Sequence, residues 1–119
     1  PLDPQLRVSE TDARGVRITL LIESGRFDDV QAELERLLTA SGDSVQPNVL
    51  SADVHLRALR AAIGAAADDA VIEGFKSRAI DDLRLAIEAG EIPRTVLETE
   101  TDCDPLRDDP RFHALLAEE

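Results

Sequence analysis

The chain has 119 residues, 43% of them hydrophobic, and a formal net charge of −12. That length suits one domain or a short repeat array, with a core that needs neither metal nor disulfide. The acidity excludes a phosphate-binding nucleic-acid face and attraction to an anionic membrane, and no apolar run approaches the roughly 18 residues of a spanning helix. Cys103 is the single cysteine, so no intrachain disulfide or thiolate cluster is expected, which fits a reducing, cytoplasmic setting. Three Phe with no Trp or Tyr leave little on which bases could stack. The chain starts at Pro1 rather than Met, as expected of a piece of a larger protein.

In chain order, residues 1–8 carry two prolines and read as an irregular lead-in. Ser9 and Asp12 resemble the capped, acidic start of a helix running to Glu23. Within it Val16, Ile18, Leu20 and Ile22 alternate as in a strand, but the helical neighbours and the lack of a pairing strand favour helix. Ser24-Gly25 supplies the left-handed stop. Phe27, Val30, Leu34, Leu37 and Leu38 then form one helical stripe, and the short connection demands an antiparallel hairpin over 9–40.

Residues 41–51 hold Gly, Pro and small polar residues and read as a linker, with Ser51 capping a third helix from Ala52 to about Ala67. Its face is Leu56, Leu59, Ile63 and Ala66. A fourth helix starts at Asp68 or Asp69 and ends at Gly90, with Val71, Phe75, Ala79, Leu83 and Ala86 as its stripe, which closes a second hairpin over 52–90. The segment 91–119 is a capping piece. It offers a turn near Thr95 to Leu97, two Asp-Pro starts at Asp104-Pro105 and Asp109-Pro110, and a last helix with Phe112, Leu115 and Leu116 inward. Half of the net charge lies in residues 98–119, which hold eight acids and two arginines.

Two stretches resemble the tetratricopeptide repeat family. In LLIESGRFDDVQAELERLL, residues 20–38, the family's spacing is met by Gly25, Phe27, Val30, Leu34 and Leu37. Residues 75–116, with Asp104-Pro105-Leu106-Arg107 and Asp109-Pro110-Arg111-Phe112, resemble the C-terminal repeats of bacterial repeat proteins and of repeat-bearing Ser/Thr kinases. The spacing departs from the family: Val30 and Ala79 are 49 residues apart where one repeat takes about 34. Cys103 stands where Leu is usual, which gives it a small, buried, apolar role. The resemblance implies an all-α superhelix of antiparallel hairpins with a short C-terminal capping helix, used to bind other proteins. It also implies a concave groove toward which Asp12, Thr19, Ile22 and Glu23 would face.

Catalytic, cofactor and metal chemistry finds little support in the residues. His55 and His113 stand in no zinc spacing, and His55 reads as a solvated histidine near a helix start. The acid pairs mostly mark helix starts, and Asp102-x-Asp104 lacks the Gly-bearing loop of a calcium site. Cys103 between two aspartates is a poor nucleophile. Arg14, Arg17, Arg57 and Arg60 could clamp an acidic peptide, but neutralising nearby carboxylates is the simpler role. The expectation is therefore a non-catalytic interaction module without cofactor or metal. Its partner would be a protein or peptide segment of basic or apolar character, with self-association or a structural cap as the alternative.

Overall fold

A computed structural model describes residues 10–41 and 46–117, and among them every regular element is helical. The expected lead-in over 1–8 lies outside the described residues. The chain divides into two units, 1–45 and 46–119.

The first unit is a helical hairpin of α1 (Glu10–Glu23) and α2 (Phe27–Ser41). Gly25, at φ +73°, makes the turn between them: its N–H donates to the Ile22 carbonyl and that of Arg26 to Leu21. The alternation in α1 resolves into two pairs spaced four apart. Ile18 and Ile22 are buried, whereas Val16 and Leu20 remain 56% and 55% exposed. From α2, Val30, Leu34 and Leu37 are buried as the stripe requires. Buried Glu33 sits between Arg17 of α1, at 3.8 Å, and Arg36 of its own helix, at 3.1 Å.

The second unit pairs α3 (Pro47–Gly64) with α4 (Asp69–Glu88), followed by α5 (Val96–Thr99), a 3-10 turn (Thr101–Leu106) and α6 (Pro110–Ala117). The third helix begins five residues before the expected Ala52. Pro47 is no linker residue: its fixed φ and missing N–H suit the first helical turn. The helix also ends earlier, at Gly64, so Ile63 is 46% exposed and Ala66 falls in the following turn at φ +52°. In α4 the expected stripe is buried at Phe75, Ala79, Leu83 and Ala86; of Ile72, Ile80 and Ile87, expected to widen it, Ile80 is buried and the other two, like Val71, are half-buried. Gly90, at φ +74°, closes α4 through Gly90 N–H to Ile87 and Glu91 N–H to Ala86.

Only the second of the two expected Asp-Pro starts holds: Pro105 lies inside the 3-10 turn that already begins at Thr101, so Asp104 caps no helix there. Pro110 opens α6, and the Arg111 N–H donates to Asp109 Oδ1 at 2.8 Å, so Asp109 is the cap. Leu97, Cys103, Leu106, Phe112 and Leu115 are all buried. Each large aliphatic or aromatic side chain among them is worth about 1.5–3 kcal/mol of burial. Arg111 ties α6 to α4 through Glu73 at 2.6 Å.

Candidate functional site

An open cleft of about 140 Å³ lies in the second unit. One stripe of α3, Val49, Ala52, Asp53 and Leu56, forms a wall at spacings of three, four and seven. Leu83 of α4 and Ile92 continue it, and Val96, Leu97, Glu100 and Cys103 close the far side. The lining is mainly aliphatic, with the carboxylates Asp53 and Glu100 and no Lys or Arg. Cys103 is a buried wall residue, as its position before the Asp-Pro-Leu turn led one to expect.

Polar clamps fix that wall. Arg107 donates from Nη1 to the Leu97 carbonyl at 3.1 Å and from Nη2 to the Glu100 carbonyl at 2.8 Å, satisfying the end of α5. Its guanidinium lies 5.7 Å from the Phe112 ring centroid, a cation–π contact that joins α5 to α6. Arg60 of α3 donates to the Thr101 carbonyl. At the other end, Glu91 accepts from the backbone N–H groups of Asn48 and Val49 at 3.1 and 3.2 Å and from Asn48 Nδ2 at 2.6 Å. A carboxylate after α4 therefore caps the start of α3, where Gln46 supplies no side-chain cap.

A second polar cluster lies between α3 and α4. His55 is 2% exposed, not solvated as its sequence position suggested, because the earlier start of α3 places it mid-helix and facing α4. Its Nδ1 is 2.6 Å from Asp82 Oδ2, and Ser51 Oγ donates to the same oxygen at 2.7 Å. Ser51 is thus a tether inside the helix rather than its cap. A nucleophilic hydroxyl would sit on the imidazole nitrogen opposite the carboxylate. Here hydroxyl and carboxylate meet the same nitrogen side, with Ser51 Oγ 3.4 Å from Nδ1. That geometry holds two helices together and orients no nucleophile.

The residues expected to face a groove belong to the first unit. Thr19 is half-buried and its hydroxyl donates to the Gly15 carbonyl at 3.1 Å. Ile22 is buried, Glu23 is exposed, and the side chain of Asp12 lies outside the described residues. Of the candidate clamp arginines, Arg17 pairs with Glu33 and Arg57 with Asp53 at 3.1 Å, while the side chain of Arg14 lies outside the described residues. The cleft itself escaped the sequence reading. Its signal was the spacing of Val49, Ala52 and Leu56, visible once Pro47 is taken as a helix start.

Among the described residues, no cluster of three His, Cys, Asp or Glu side chains could hold a metal ion, and no helix is long and apolar enough to cross a membrane. Comparison with family models, curated proteins and solved structures finds no match to this chain.

Proposed function

We propose that the chain is a non-catalytic protein-interaction module, a helical scaffold of tetratricopeptide-repeat type within a larger regulatory or enzymatic protein. The open aliphatic cleft of the second unit carries this reading. Apolar concave surface on a helical scaffold is what a partner segment can cover, and only two carboxylates accompany it. The helical hairpin built on Gly25 and the Asp109-Pro110 start of α6 support the repeat-type architecture, and its partner-binding use comes from the same resemblance.

Affinity capture from a lysate of the source organism, with the intact chain as bait, tests the reading. A stoichiometric partner that exchanges with excess untagged chain is expected. Recovery of the bait alone, at low and at high salt, would overturn it.

A second reading, self-association through the first unit, is favoured by Val16 and Leu20, which expose apolar surface one turn apart on α1. Sedimentation velocity over a wide concentration range separates the two. A concentration-independent monomer removes self-association.

A further inference from the structure

We infer that the cleft is a socket for a single large apolar side chain of a partner segment that carries Lys or Arg beside it; this rests on the interaction-module reading above. The size argues for one side chain. A cavity of about 150 Å³ lined by aliphatic and aromatic groups stays dry and accepts a benzene-sized ligand, and this cleft is of that order, about 140 Å³.

The lining argues for an apolar group. Val49, Leu56, Leu83, Ile92, Val96 and Leu97 give it van der Waals surface without convergent donors, which a small polar metabolite would require. Val96, one of the lining residues, remains 38% exposed, so a guest placed against it removes apolar area that this chain leaves in water.

Charge selects the flanks. Asp53 and Glu100 stand in the lining, and the 91–104 segment that forms one side carries five acids, against Arg94 of its own and Arg60 and Arg107 that reach its carbonyls, so acids still outnumber cations there. Asp53 is already paired with Arg57, so the selection comes from the summed field of the acidic segment rather than from one ion pair. A cationic flank gains from that field, whereas an anionic one is repelled.

The test is an NMR titration of the isotope-labelled full chain with acetylated, amidated pentapeptides. Lys-Lys-Leu-Lys-Lys is compared with its Ala-centred form and with Glu-Glu-Leu-Glu-Glu. The Leu-centred basic peptide should shift the amides of Leu56, Val96, Leu97 and Cys103. The Ala-centred peptide should bind at least tenfold more weakly, and the Glu-flanked peptide should leave those amides unmoved. Val96→Lys, a change at an exposed position, should abolish the shifts while keeping the melting temperature.

Equal binding of the Ala-centred peptide overturns the socket, and equal binding of the Glu-flanked peptide overturns the charge selection. Absence of binding by all three also overturns it. A lysate partner retained undiminished by Val96→Lys overturns the socket yet leaves the interaction-module reading standing. A chain that captures nothing fails at the earlier step.

Discussion

His55 Nδ1 and Asp82 Oδ2 stand 2.6 Å apart between α3 and α4, and the Ser51 hydroxyl shares that oxygen. One carboxylate thus satisfies two polar groups that the helix pair has taken out of water. Removing it leaves both without that acceptor, which costs about 1–3 kcal/mol. Asp82→Ala is therefore expected to lower the urea midpoint with little change in slope. The triple variant Ser51→Ala, His55→Leu, Asp82→Leu should recover much of the loss, because it removes every polar group of the cluster. In the cycle formed by His55→Leu, Asp82→Leu and the two together, additive losses would show that the contact contributes nothing of its own.

Glu91 caps a helix whose second residue, Asn48, lies 43 positions before it. The backbone N–H groups of Asn48 and Val49 depend on its carboxylate, and its negative charge lies at the positive end of α3. Glu91→Ala is expected to cost about 0.5–2 kcal/mol, with Glu91→Gln intermediate. Hydrogen exchange gives the sharper readout: the Asn48 and Val49 amides should lose protection well before those of Leu56 or Leu59. Unchanged protection at these two amides would mean that solvent caps the helix equally well.

What the sequence made legible divides along physical lines. Gly25 and Gly90 marked helix ends correctly because left-handed backbone favours a residue without Cβ. Asp109-Pro110 marked a helix start because proline presets φ and aspartate accepts the N–H that follows. Local chemistry sufficed in those places. It failed at Pro47, where the cap comes from Glu91, far along the chain, so no neighbouring residue advertised a helix start. That one misplaced boundary hid the burial of His55, the role of Ser51 and the stripe of α3 that walls the cleft. Asp82 was hidden for a different reason. A mid-helix acid beside Asp81 looks solvated until the facing helix supplies a histidine.

Asp109 makes part of the stability dependent on acid pH. Its hydrogen bond to the Arg111 side chain is the main cause that holds its carboxyl below the ordinary value of 3.8, against the opposing effect of burial. The native carboxyl is thus the stronger acid, so its contribution is complete above 3.8 and disappears as pH falls through the lower native value. Asp109→Ala should cost about 0.5–2 kcal/mol at neutral pH through loss of the cap. Urea midpoints measured downward from neutral pH should bring variant and wild type together only below the ordinary carboxylate range. A gap that stays constant through that range would remove Asp109 from the acid response.

The turn after α3 is the third of one kind, and it alone lacks glycine at its left-handed position. Ala66 N–H donates to the Ile63 carbonyl and Ala67 N–H to Ala62, the same pair of bonds that Gly25 and Gly90 organise elsewhere. At φ +52° an alanine Cβ crowds the backbone, a penalty of about 1–2 kcal/mol relative to the right-handed helix. Gly64, two residues earlier, is the reverse case: it is the last residue of α3, with open space where a Cβ would project. Ala66→Gly should therefore stabilise the second unit, less the extra chain entropy that glycine brings to the unfolded state. Gly64→Ala should stabilise through helix propensity by less than the ~1 kcal/mol of a helix interior, because the position is terminal. Each kcal/mol corresponds to about 4–8 °C in melting temperature for a domain of about 60–100 residues, so calorimetry resolves both. A fall in melting temperature for Ala66→Gly would show that the turn carries no strain to relieve.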